Sequence, residues 1–196
     1  MKHIATILKL ATPEQIASGR NWYGAAFAFA ESLAAKHGLH VNTCAGVIAA
    51  LSPNNKWSRN LIDSEALIDA HLAGRELPKV CTFTFNKAKA IAILGALADV
   101  ATISAILSGQ KVIAFFRSIV NLGGVCVDGH AYAIWYGKRI PLPQVPAISA
   151  KLFARIQLAY TKVSKKSFAL IGQSLTPTEL QAVTWTVYRD LHALKG

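Results

Sequence analysis

The stretch TCAGVIAALSP, residues 43–53, restricts the fold more than any other. It is long enough for a helix and apolar on every face. A helix built from it has no polar stripe to turn toward water and must be surrounded by other elements. Pro53 ends it. The rest of the chain supplies helices to do the surrounding. TPEQIASGRNWYGAAFAFAESLAAKHG opens with Thr12 as N-cap and Pro13 at the first helical position, and Gly38 stops it. Ile16, Tyr23, Phe27, Ala30 and Ala34 form one stripe along it. Leu61, Ile68 and Leu72 mark a helix that Gly74 closes. Helical spacing recurs at Ala90, Ile93, Leu94 and Leu97, at Val112, Phe115, Phe116 and Ile119, and at Ile148, Leu152 and Ile156. The last such set is Leu180, Val183, Val187, Leu191 and Leu194. KVCTFTF (79–85) alternates like a strand, but it is short and has no evident partner, so it reads as an extended connector. YGKRIPLPQVP (136–146), with three prolines, reads as a loop. The expected fold class is all-α.

A chain of 196 residues suits one domain, or two subdomains sharing a core, and 53% hydrophobic residues exclude a disordered chain. The formal charge of +11 favours a polyanionic partner such as nucleic acid. Cys44, Cys81 and Cys126 are scattered, with no Cys-x-x-Cys. That argues against a disulfide scaffold, a zinc site or an iron–sulfur cluster, and each sits among apolar neighbours as a buried, reduced thiol would. MKHIATILKL is too short for a signal peptide, and no stretch reaches membrane-spanning length without a break. The expectation is a cytoplasmic monomer with no membrane association, no metal and no cofactor.

VCVDGHAYAIW (125–135) places one aspartate in an apolar run. Asp128 is the only acidic residue between Asp99 and Glu179, a stretch that holds nine Lys or Arg. A carboxylate so placed needs a partner or a task that uses it. In LSGQKVIAFFRSIV, Ser108 or Gly109 opens a helix with Gln110 and Lys111 in its first turn. Backbone N–H groups there suit an anion such as phosphate, and a neutral lysine amine is a nucleophile. Lys111 precedes Asp128 by seventeen residues: one apolar helix, a turn at Gly123 and Gly124, then VCVD.

GQK at 109–111 followed by VDGH at 127–130 resembles the helix-hairpin-helix DNA glycosylase superfamily, in particular its endonuclease III-like branch. Members carry a hairpin, then Gly-x-Lys opening a helix, then Val-Asp-x-His. Other pieces fall in the same order. VIAALSPNNKWSRN resembles the buried helix and the loop that probes the DNA stack, FNKAKAIAIL the helix before the hairpin, and AVTWTVYRDL the closing helix. The likeness runs over about residues 42–139, with a weaker echo near 180–190. The chain departs from the pattern in three places. Leu107 replaces the first hairpin glycine, Asn54 stands for the probing glutamine, and the C-terminal iron–sulfur cysteines are absent. The SPNNxW and VDxHA segments also resemble small phage-encoded proteins, which would put the chain in a bacterial host cytoplasm.

The resemblance implies two helical subdomains with a DNA groove between them: a central one at about 42–139, and a second formed by 1–41 and 140–196. It implies a DNA glycosylase or glycosylase/AP-lyase acting on a damaged or modified base that is flipped from the stack. Asp128 would stabilise charge developing on the sugar, and Lys111 would attack the anomeric carbon. Asn54, Gly109, Gln110 and His130 would contact DNA, and Trp22 and Trp57 would line the base pocket. Other readings stand beside these. Asp128 also suits a helix cap near His130, Lys111 a phosphate contact, His130 a structural hydrogen bond, and both tryptophans the core. A phage enzyme that hypermodifies DNA bases on the same scaffold is one alternative function. A DNA-binding protein without catalysis is another.

Overall fold

In a computed structural model that describes residues 1–193, the chain is all-helical, with eleven α-helices, one 3-10 turn and no strand among the described residues. Leu194, expected on the last helical stripe, lies outside the described residues. Contacts divide the chain into two compact units. One is residues 26–120; the other is residues 1–25 together with 121–193. The family resemblance implies a central subdomain at about 42–139. The compact units divide inside a long helix and directly after a short one.

The unit of residues 26–120 is built on the apolar segment. It holds the second half of α2 (Pro13–His37), then α3 (Val41–Leu51), α4 (Trp57–Leu72), α5 (Thr84–Leu94), α6 (Val100–Leu107) and α7 (Gln110–Ile119). Every residue of α3 from Thr43 to Leu51 is buried, and α4, α5, α6 and α7 all pack on it. Closest packing is at Gly46, where a Cβ would lie 2.8 Å from Ile103 Cγ2 and 3.1 Å from Ile93 Cγ2. The His40 ring caps the start of α3 by accepting the Asn42 N–H at 3.1 Å. The helical stripes differ from the sequence reading in two places. Leu72 (48%) and Leu97 (75%) are exposed, whereas Asn60, Asp63 and Ser64 are buried beside Leu67 and Ile68. Polar side chains occupy the inner face of α4 because they have partners there. Asn60 Nδ2, for example, donates to the Ile48 carbonyl of α3 at 3.0 Å.

The other unit holds α1 (Lys2–Lys9), the first half of α2, α8 (Gly129–Tyr136), a 3-10 turn (Leu142–Gln144), α9 (Ala150–Ser164), α10 (Ser167–Ile171) and α11 (Pro177–Leu191). α11 packs on α1, α8 and α9. It starts with Pro177 behind a capping box: the Thr176 hydroxyl accepts the Glu179 N–H, and the Glu179 carboxylate accepts the Thr176 N–H. Thr12 and Gln15 open α2 with the same reciprocal pair. α2 and α11 touch at backbone level, since a Cβ on Gly19 would lie 2.5 Å from Val183 Cα. Ile4, Leu8, Ile156, Tyr160, Leu180 and Val183 form the core, while Leu191 of the expected stripe is exposed.

Candidate functional site

Asp128 is the N-cap of α8. Its Oδ1 accepts the Ala131 N–H at 2.7 Å, and the side chain is part-buried. The capping bond engages Oδ1, so capping and an electrostatic task are chemically compatible. Its charge also reaches inward. The buried Tyr160 phenol has its pKa raised, first by burial and further by the Asp128 carboxylate, against a lowering from Thr184. The Tyr160 hydroxyl meets no partner in hydrogen-bonding geometry among the described residues. On the same helix, the His130 ring lies 5.8 Å from Tyr188, which sits edge-on to His192 at 4.5 Å. Burial raises the Tyr188 phenol, opposed by the Ile140 backbone and Arg139. Burial lowers the His192 imidazole, and Arg139 lowers it further. Trp22 is not alone in a pocket. Its ring is edge-on to Tyr23 (4.8 Å) and to Trp185 (6.3 Å), which Arg189 covers at 4.4 Å.

In the unit of residues 26–120, α6 and α7 are joined by Ser108 and Gly109 alone. Ser108 ends α6 in the left-handed region (φ 56°), where a serine costs about 1–2 kcal/mol that a glycine would not. Lys89 of α5 braces the turn. Its Nζ donates to the Leu107 carbonyl and to Ser108 Oγ, both at 2.7 Å. Gly109 is the extended N-cap of α7, and Gln110 and Lys111 are exposed in the first turn, with their N–H groups at the positive helix end.

Asn54 is the exposed tip of the turn between α3 and α4, in the left-handed region at φ 57°. What holds that turn is a carboxylate the sequence reading passed over. Asp63 of α4 is 2% exposed. Its Oδ1 accepts from Arg59 Nε at 2.7 Å, and its Oδ2 accepts from Asn55 Nδ2 at 3.1 Å and from the Cys81 N–H at 2.8 Å. Thr82 Oγ1 donates to the Pro53 carbonyl at 2.8 Å, and Asn86 Nδ2 donates to Thr82 Oγ1 at 2.9 Å. The turn that carries Asn54 and the KVCTFTF connector are thereby stitched into one piece. Trp57, at the start of α4, stands edge-on to Phe115 of α7, one turn beyond Lys111.

The connector leads into two exposed phenyl rings, Phe83 (52%) and Phe85 (59%), stacked with centroids 5.5 Å apart and 9° between planes. Lys89 Nζ lies 5.8 Å from the Phe85 centroid. Exposed stacked rings beside lysines can accept a nucleobase. The available signal was TFTF between Lys79 and Lys87, which alternates like a strand but spaces two aromatics evenly among cations. Cys81 corrects the expectation of three buried thiols: it is exposed, with its backbone N–H turned inward to Asp63. Cys44 is buried, and burial pushes its thiol up to about 11.

Of the residues singled out in the sequence, Asn54, Trp57, Gly109, Gln110 and Lys111 belong to the unit of residues 26–120; Trp22, Asp128 and His130 belong to the other. Among the described residues, no group of three or more His, Cys, Asp or Glu is placed to hold a metal ion, and no helix is long and apolar enough to cross a membrane. No curated protein and no solved structure matches the chain. A family model does match, over residues 1–192, and the chain belongs to that family, DUF7178, a family of unknown function.

Proposed function

We propose that the protein binds DNA and cleaves the N-glycosidic bond of a damaged or modified base on a helix-hairpin-helix glycosylase-type scaffold. Asp128 stabilises the positive charge that develops on the sugar. Lys111 then attacks the anomeric carbon and forms a Schiff base, from which the strand can be cut by elimination. The observation that carries this reading is the two-residue Ser108–Gly109 turn between α6 and α7, braced by Lys89, with Lys111 exposed in the first turn of α7. It is a compact turn that leads directly into a helix start, whose positive end suits a backbone phosphate. Asn54 at the tip of a stitched turn, and the Phe83–Phe85 pair, give the same unit groups that can meet unstacked bases.

Borohydride trapping on abasic, uracil, oxidised and hypermodified-thymine duplexes tests the reading. Wild type should form a stable protein–DNA crosslink on at least one of them, and Lys111→Ala should abolish it. Asp128→Asn should slow base release by about 10²–10³-fold. A second reading, DNA binding without catalysis, is favoured by the capping bond from Ala131 to Asp128. Asparagine caps as well as aspartate, so on that reading Asp128→Asn changes nothing measurable and no substrate gives a crosslink.

A further inference from the structure

The unit that holds α1, α8, α9 and α11 has an open cavity of about 520 Å³, at the opposite end of α8 from Asp128. That volume lies within the usual range of small-molecule sites, about 300–1,000 Å³. α1 supplies His3, α8 supplies Trp135 and Tyr136, and α9 supplies Arg155, Leu158 and Lys162. Its lining includes neither Asp128 nor His130, although Trp135 closes the same VCVDGHAYAIW run.

Charge at this cavity is one-sided. α1, α8, α9 and the 137–149 loop contain no Asp or Glu, so Arg155 and Lys162 have no acidic side chain near them in the sequence. Neither enters the ion pairs found among the described residues, which join Arg20 to Glu179, Lys36 to Glu65 and Asp69, His37 to Asp69, and Arg59 to Asp63. Arg155 and Lys162 are two helical turns apart on one face of α9, about 10 Å along the axis, and both side chains are long enough to converge on one anion. The Arg155 guanidinium is already oriented, 5.4 Å from the Trp135 ring centroid, and such stacking leaves its N–H edge for an oxyanion.

The apolar wall narrows the ligand further. Tyr136 (48%) and Leu158 (53%) are exposed although large and apolar. The Tyr136 ring is parallel to that of buried Tyr132, at 5.7 Å and 9°, so one face is covered and the exposed area lies on the rest of the ring. A flat aromatic face beside two cations that enter no ion pair among the described residues fits a planar ring that carries a phosphate. An inorganic anion would leave Tyr136 and Leu158 unused. We propose that this cavity binds a nucleotide unit, with its phosphate held by Arg155 and Lys162 and its base stacked on Tyr136. Its lining includes neither Lys111 nor Asp128, and the proposal does not rest on the glycosidic reading.

Titration calorimetry at low salt compares deoxyadenosine monophosphate, deoxyadenosine, inorganic phosphate and a short 5′-phosphorylated oligodeoxyadenylate. The monophosphate should bind at least about tenfold more tightly than the nucleoside or phosphate alone, because only it uses both halves of the site. Arg155→Ala, Lys162→Ala and Tyr136→Ala should each weaken it by about tenfold. All three side chains are at least partly at the surface, and circular dichroism checks that the variants fold. Lys9→Ala, an exposed basic residue outside the cavity, should change nothing. The oligonucleotide distinguishes the source: tighter binding than the monophosphate assigns the site to a nucleic-acid strand, and weaker binding assigns it to a free nucleotide. No binding of either overturns the proposal. So does phosphate binding as tightly as the monophosphate, indifference to the three substitutions, or binding confined to vesicles of acidic lipid.

Discussion

Asp63 and Asp128 are both aspartates within largely apolar surroundings, one in each compact unit, and they are held in opposite ways. Asp63 is almost completely buried and accepts three N–H groups, from Arg59, Asn55 and Cys81, which lie on three different parts of the chain. Asp128 is part-buried and accepts one hydrogen bond from its own helix. A carboxylate with three fixed donors is a structural hub, because removing it strands several polar groups at once. A carboxylate with one local bond keeps acceptor capacity for something else. The aspartate that looked anomalous in the sequence is therefore the less committed of the two. The one that looked ordinary, spaced i,i+4 from Arg59 as on any solvated helix face, organises its unit.

One substitution made at both sites puts the difference to the sharpest test. Asp63→Asn replaces an acceptor oxygen by an NH₂ that must face Arg59, Asn55 or Cys81, donor against donor. It should cost about 3 kcal/mol in chemical denaturation and loosen the turn carrying Asn54. Asp128→Asn keeps an equally good N-cap and should stay within about 0.5 kcal/mol of wild type. Equal losses at the two sites would dissolve the distinction.

The same contrast explains what could be read in the sequence. Local signals were legible. Thr12-Pro13 and Gly38 bound α2, Pro53 follows the end of α3, and the capping geometry of Asp128 spans only three residues. Signals that depend on distant partners were not. The inner face of α4 carries Asn60, Asp63 and Ser64, which a hydrophobic stripe cannot reveal, and the donors to Asp63 lie up to 18 residues away. Leu97 and Leu191 fit their helical stripes but fall at or beyond helix ends, where no neighbour covers them. Cys81 sits in an apolar run, yet its connector is anchored through its backbone, so its thiol faces water. Near the candidate site, the helix start that holds Lys111 was legible in the sequence. The part played by Lys89 was not, because its bonds to Leu107 and Ser108 join residues far apart in the chain.

A smaller effect is expected where each unit brings helices closest. A Cβ on Gly19 would meet the Val183 backbone Cα at 2.5 Å and N at 2.6 Å, and backbone cannot rotate away, so α2 and α11 must separate. A Cβ on Gly46 would meet only Ile103 and Ile93 side-chain carbons, at 2.8 Å and 3.1 Å. Gly19→Ala should therefore lower stability by about 2 kcal/mol and Gly46→Ala by about 1 kcal/mol, against a small helix-propensity gain in each. Denaturant midpoints for the two variants settle the ranking, and a larger loss at Gly46 would reverse it.

The smallest effect distinguishes the units by pH. His192 follows α11, with its ring against Tyr188, and its pKa is lowered from 6.5, first by burial and then by Arg139. The His130 ring also lies near Tyr188, at 5.8 Å. A lowered folded-state value means that the unfolded chain takes up a proton more readily than the folded one. The stability that His192 contributes is then fully present above pH 6.5 and is lost as pH falls through 6.5 toward the folded value. Denaturant unfolding followed from about pH 7.5 to about pH 5.5 should show wild type losing more stability than His192→Gln, which has no charge to gain. Arg139→Gln should lessen the loss without removing it, because burial is the larger cause. If wild type and His192→Gln lose stability equally over that range, the acid sensitivity of this unit has its origin away from the α11 end.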